Sequence, residues 1–169
     1  MARAKTNSFY LRETIEVNTG PAEESMDLSI YIDPVNKQGL LIRQCDFIWY
    51  DSATFLPLDP AADWQAAVQI HDTALGGLVD LENTHQVASA SIIGVQDSNV
   101  TQSQDFFPDR LGMAKGEGRI VGNDTLEICT DGSANIPGTA VVCVVMEVQV
   151  VKLSEKDYIS LALQSVADA

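Results

Sequence analysis

His71 and His85 are the chain's two imidazoles, and a hydrolase of the Ser-His or Cys-His kind would have to recruit one of them as its base. No G-x-S-x-G elbow accompanies them. His71 falls on the polar side of its segment and His85 opens the next one, so both read as exposed or turn histidines. Cys45, Cys129 and Cys143 are odd in number and lack C-x-x-C spacing, which leaves them as small buried hydrophobes within strands. Asp51-Ser-Ala and Asp72-Thr-Ala lack the glycine of the D-[ST]-G signature. An enzyme of another type would have to work through Asp46, Asp51 or Asp72.

Bound groups find little support. A metal-dependent jelly-roll enzyme needs paired histidines one residue apart plus a third, and that pairing is absent. Gly116-Glu-Gly118 followed by Gly122 misses the dinucleotide fingerprint, there is no phosphate loop, and no EF-hand spacing frames the carboxylates. Asn99 and Asn123 each begin an N-x-[ST] triplet, at about the frequency chance supplies. The sequence thus nominates no catalytic, cofactor-binding or metal-ligating residue, and the expectation is a protein without turnover.

The elements that would position any site are clearer. Gly138 to Leu153, GTAVVCVVMEVQVVKL, is dense in β-branched valine and reads as a central strand. Val142, Val144, Met146, Val148 and Val150 give one wholly apolar face; the other begins apolar at Val141, Cys143 and Val145 and turns polar at Glu147 and Gln149. Ser8 to Asn18 alternates as a half-buried strand. Gly20-Pro21 reads as a turn, Asp27 to Asp33 as a second strand, and Gly39 opens a third with Leu41, Cys45, Phe47 and Trp49 inward and Arg43 awkwardly on the same face. Pro57 and Pro60 mark a loop. Trp64 to His71 is read as a strand in preference to a short helix, and His85 to Gln96 as another.

Asp97 to Gly118 reads as one long loop of the sort that serves an interface or a site. Arg119 to Val121 and Thr125 to Thr130 read as a hairpin across Gly122-Asn123-Asp124. Ser154 to Asp157 is a capping box opening a late helix, whose apolar stripe comprises Tyr158, Ile159, Leu161, Ala162, Leu163 and Val166. The expectation is an all-β, antiparallel eight-stranded two-sheet sandwich, a jelly roll, with a short C-terminal helix. Its parts are a short basic arm over residues 1–7, the sandwich over 8–153, and the helix over 154–169.

The chain is 46% hydrophobic, suited to one domain with a sizeable core, and its apolar runs fall short of a membrane-spanning helix. MARAKTNSFYLR lacks an apolar signal core, so release from a cell is expected through lysis or assembly. Net charge is −14: of 10 bases three precede the first acid, Glu13, leaving 7 against 24 acids beyond residue 12. Such a body repels nucleic acid, and only the arm, with Arg3, Lys5 and Arg12, can approach a polyanion, a membrane or an internal core.

The strand order, the exceptionally long last strand VVCVVMEVQVV and the ending VVKLSEKDYISLALQ resemble the small single jelly-roll capsid proteins of tailless icosahedral viruses. The resemblance is architectural and covers nearly the whole chain. It implies a subunit of an icosahedral viral capsid shell, with itself and other capsid proteins as partners, made in the host cytoplasm and located in the virion. The weakly basic arm departs from capsids that package RNA through long basic arms, and fits a shell over an internal membrane or core. The alternative is a ligand- or glycan-binding β-sandwich in which Trp49, Tyr50, Trp64 or Phe106-Phe107 stack on sugar rings.

Overall fold

Ten strands and a helix are present in the computed structural model, which describes residues 3–59, 61–80, 82–96, 100–106 and 118–167. In chain order they are β1 (Arg3–Ala4), β2 (Phe9–Glu16), β3 (Gly20–Asp27), β4 (Gln38–Asp51), β5 (Trp64–His71), β6 (Gln86–Gly94), β7 (Val100–Phe106), β8 (Arg119–Val121), β9 (Thr125–Gly132), β10 (Ala140–Lys152) and α1 (Glu155–Ala167). All ladders between these strands are antiparallel, and they nest: β2 pairs with β10, β3 with β9, β4 with β8, and β5 with β6. A long two-stranded ribbon folded across itself gives this pattern, and the result is an eight-strand jelly roll with sheets β2-β10-β4-β8 (sheet A) and β3-β9-β5-β6 (sheet B). β1 adds beside the end of β10, and β7 extends sheet B beyond β6.

β10 is the interior strand its sequence predicts, paired with β4 along thirteen residues and with β2 along eight. Val142, Val144, Met146, Val148 and Val150 all lie in the core between the sheets, with Ile15, Ile42, Phe47, Val68, Ile70, Leu126 and Ile128. A second, smaller cluster lies on the outer side of sheet A, where Leu41, Ile120, Val151 and Leu153 are covered by Tyr158 and Leu161 of α1. The capping box forms: the Asp157 amide donates to Ser154 Oγ at 3.2 Å. Among the described residues no helix is long and apolar enough to cross a membrane.

Four sequence expectations fail for identifiable reasons. The second strand is Gly20–Asp27, whereas Leu28 to Ile32 make a tight turn, with the Tyr31 and Ile32 amides donating to Leu28 O. β3 is an edge strand with a polar, acidic surface, so its state follows from pairing with β9 and leaves no apolar alternation to read; Pro21 is tolerated at such an edge. The Arg43 parity conflict is a bulge: Glu147 pairs with Gln44 and Val148 with Ile42, leaving Arg43 unpaired between them, so Leu40 and Ile42 face the core on one side of it and Cys45, Phe47 and Trp49 on the other.

Arg119–Val121 and Thr125–Gly132 are strands but not a hairpin, because they belong to opposite sheets and Gly122 to Asp124 cross between them. The segment 97–118 is not wholly loop, since Val100–Phe106 pairs with β6; residues 97–99, 107–117 and the side chains of 103–106 lie outside the description, and with them Asn99, Phe107, Gly112 and Gly116. Arm residues 3–6 are anchored: Arg3 and Ala4 pair with Lys152 and Val151, the Lys5 amide donates to Val150 O at 2.8 Å, and Gln149 Nε2 donates to Thr6 O at 2.7 Å.

Candidate functional site

Along β5, Ala66, Val68 and Ile70 point into the sandwich, so Gln69 and His71 point to the outer face of sheet B, beside Cys129 and Glu127 of β9. Polar side chains on an outer face ordinarily meet water, yet His71 and Cys129 are fully buried and Gln69 and Glu127 nearly so. The β5–β6 connection folds back over them. Gln69 grips it at one residue, with Nε2 donating to Val79 O at 2.9 Å and Oε1 accepting from Val79 N at 2.7 Å.

The hydrogen bonds fix the tautomer of His71. Its Nε2 lies 3.1 Å from Gln69 Oε1, a pure acceptor, so Nε2 carries the proton; Nδ1 is left as an acceptor 3.5 Å from Cys129 Sγ, whose thiol donates to it. Burial pushes the Cys129 thiol up to about 12 and pulls His71 below the ordinary histidine value. A nucleophilic pair requires a thiolate beside an imidazolium, and this environment favours the neutral partners. The contact is a buried hydrogen bond and not a catalytic dyad.

His85 belongs to a second cluster next to the first. Its Nδ1 lies 2.7 Å from Asp72 Oδ1, while Arg119 Nη2 lies 2.9 Å from Asp72 Oδ2 and 2.7 Å from Thr84 O. Asn123 Nδ2 donates to the Asp72 carbonyl. Arg119 is on β8 of sheet A and Asp72 directly follows β5 of sheet B, so this buried pair ties the two sheets together at one end of the sandwich. Both histidines are buried and bonded: His71 lies on the polar side of β5 as its alternation implies, but covered, and His85 lies in the turn before β6, so it is their exposure that the expectation had wrong. The β5–β6 connection, held at Val79 by Gln69, covers His71, and a bulge at Val87, between the Ile70–Ala88 and His71–Gln86 pairs, shifts the β5–β6 register at this end.

The other candidates do not converge. Asp51 lies at the opposite end, paired with Ala140, and its carboxyl organises the loop 51–56: Oδ1 accepts from Ala53 N at 2.8 Å and Thr54 N at 2.9 Å. The Thr139 hydroxyl, with the Thr54 and Ala53 amides, holds that carboxyl below the usual aspartate range. Asp46 accepts from the neighbouring Gln44 amide on the outer face of sheet A. Trp49 and Trp64 are core residues, and Tyr50 stacks on Phe55 with ring centroids 6.1 Å apart. Cys45 and Cys143 are free thiols, the first buried and the second partly so. Among the described residues no group of three or more His, Cys, Asp and Glu is placed to hold a metal ion.

What stands out at the surface is apolar. The loop 51–56 holds Phe55 in the left-handed region at φ 59°, with its amide donating to Asp51 O at 2.7 Å, while the side chain is 76% exposed and that of Leu56 62%. On the outer face of sheet A, Ile48 is half exposed beside the partly covered Cys143. Ile159 and Leu163 of α1 point away from the cluster that Tyr158 and Leu161 cover.

No family model matches the chain, and no curated protein matches it. Solved structures with a related outline include one of Desmodium yellow mottle tymovirus, at 11% identity and a TM-score of 0.40, covering 88% of this chain and 89% of that one. A structure of turnip yellow mosaic virus has 11% identity and a TM-score of 0.41, covering 89% and 85%. Likeness of this extent concerns architecture alone and says nothing of what the chain does.

Proposed function

We propose that the chain is a structural protein that assembles through its surface, the subunit of an icosahedral viral capsid shell. Jelly rolls serve mainly as shell subunits, as lectin-type modules and as cupins. A cupin carries its metal ligands inside the barrel; here the interior is filled by aliphatic and aromatic side chains, and both histidines lie in networks at one end, His71 on the outer face of sheet B. A glycan module presents an aromatic platform, and Trp49 and Trp64 are in the core.

The observation that carries the proposal is the Phe55 loop. A non-glycine residue in the left-handed region costs on the order of 1–3 kcal/mol, and here four backbone and side-chain hydrogen bonds from Asp51, Ala53, Thr54 and Phe55 maintain it in order to expose a phenyl ring. Such a feature serves a contact with another molecule, and an anchored aromatic is the usual centre of one. With the acidic body facing solvent or neighbouring subunits, the protein belongs in the virion, and its N-terminal arm faces a membrane or core. Light scattering and electron microscopy of purified full-length protein over a range of concentration and salt test this. Closed particles are expected; a monomer of 18.3 kDa under every condition overturns the proposal.

A further inference from the structure

The chain's two histidines stand at the two roots of a single segment. His71 ends β5, His85 precedes β6, and the connection between them is the one that folds over the outer face of sheet B. We propose that this connection is an acid-released strap: protonation of His71 detaches Val79 from Gln69 and uncovers the sheet around Cys129.

The argument runs through the relay Cys129–His71–Gln69–Val79. In the closed form every polar atom of the imidazole is used, Nε2–H on Gln69 Oε1 and the Nδ1 lone pair on the Cys129 thiol. A proton arriving at Nδ1 is aimed at that sulfur, and the thiol hydrogen must turn away from the ring, toward the Glu23 carboxylate that also bonds Cys129. The charge is then enclosed, since His71 has no exposed surface. Charged groups face it from each neighbouring element: Glu23 from β3, Glu127 from β9, and Asp72 and His85 at the roots of the strap. The carboxylates favour the proton, but Glu127 is bonded to Ser25 Oγ and Asp72 is committed to His85 and Arg119, and burial outweighs them.

His71 therefore binds a proton more weakly in the closed form than in one where the strap has lifted. The closed form binds fewer protons, so opening becomes easier as pH falls below the ordinary histidine value of 6.5, by up to about tenfold in the opening equilibrium per pH unit, down to the lowered value of the closed form. His85 Nδ1 lies 2.7 Å from Asp72 Oδ1, a contact that holds the far root while the middle of the strap lets go. Gly76 and Gly77, at φ 77° and 152°, supply the backbone freedom for the movement. The device is independent of what the surface contacts, and it makes exposure of the outer face of sheet B conditional on an acidic surrounding.

Hydrogen exchange on the full-length protein, corrected for intrinsic rates, tests it together with NMR of the imidazoles. Between pH 7.5 and 5.0 protection of the Val79 amide is expected to fall from about pH 6.5 downward, by up to about tenfold per pH unit, while Val144 in β10 keeps its own, and the His71 ring is expected to be an Nε2–H tautomer that in the closed form titrates only below the pH at which the loss begins. In His71→Gln the Val79 amide is expected to show no pH dependence. The proposal is overturned by flat Val79 protection down to pH 5.0, by a closed-form His71 that titrates at or above 6.5, by an unchanged transition in His71→Gln, or by simultaneous loss at Val144, which would mean global unfolding. If His71→Gln does not fold, the unmodified protein decides alone: loss that begins above the pH at which the His71 ring titrates supports the proposal, and a ring that titrates at or above 6.5 overturns it.

Discussion

The indole of Trp64 lies against the backbone of Gly94, its partner across the β5–β6 ladder, so closely that a methyl group on Gly94 would stand 2.4 Å from Trp64 Cε2. The ring is held in the core between the sheets, with little room to retreat. Gly94→Ala is expected to destabilise the fold by about 1–3 kcal/mol through overpacking, read as a lower urea midpoint at unchanged slope. In a Trp64→Leu background the same substitution should cost much less, and equal costs in both backgrounds would refute the steric account.

β10 is paired on both edges and Val148 is fully buried between Phe9 and Ile42. Val148→Asp places an unpaired carboxylate in the core, at a penalty of several kcal/mol against a total stability of about 5–15 kcal/mol. The variant is expected to be largely unfolded by near-UV circular dichroism at pH 7. A native-like spectrum would show that the core is softer than its packing implies.

The legibility of these elements follows from what determines them. β10, β2 and β5 have one face on the core, so an alternating pattern is imposed on their side chains and can be read back. β3 is fixed by backbone pairing at an edge, where almost any side chain is compatible, and so it looked like a turn. The bulge at Arg43 breaks parity by one residue without a residue-type signature, which concealed the inward face of β4, and the burial of His71 comes from a connection whose return over the sheet leaves no periodic pattern to read. The Asp72–His85–Arg119 cluster joins residues 47 positions apart, a spacing that carries no local signal. Its one hint was the placement of a histidine at each end of the same connection.

Asp72 is the acid on which that cluster converges, and its side chain and that of Arg119 are 13% and 7% exposed. Asp72→Ala removes the carboxylate that pairs with the buried Arg119 guanidinium between the two sheets, and breaking such a pair costs about 3–5 kcal/mol. Chemical denaturation should show a loss of that order. A change below about 1 kcal/mol would mean that the sheets are held at this end by apolar packing alone.

The helix divides into two faces with separable consequences. Tyr158 and Leu161 cover Leu41, Ile120, Val151 and Leu153, so Tyr158→Ala with Leu161→Ala should lower the melting temperature by uncovering that cluster. Ile159 and Leu163 face outward, and Ile159→Asp with Leu163→Asp should leave the melting temperature of the subunit unchanged while reducing assembly in light scattering. Deletion of residues 154–169 combines both effects, a folded but less stable sandwich that does not assemble. Assembly by the outward-face variant at the level of the unmodified protein would remove the helix from the contact.

Phe55 offers a test in which stability and assembly move in different directions. At φ 59° its backbone is one that glycine adopts freely, so Phe55→Gly relieves local strain while removing the exposed ring and its stack on Tyr50. The relief and the lost stacking are each on the order of 1 kcal/mol and oppose one another, so the subunit's stability should change by less than about 1 kcal/mol. A residue that served only the fold would show its whole effect in the melting temperature. If the ring is instead an anchor between subunits, the glycine variant melts as before and fails to form particles, whereas Phe55→Trp, which keeps a large aromatic, restores them in part. Normal assembly by Phe55→Gly would rule out the loop as a contact and remove the main support for a shell subunit.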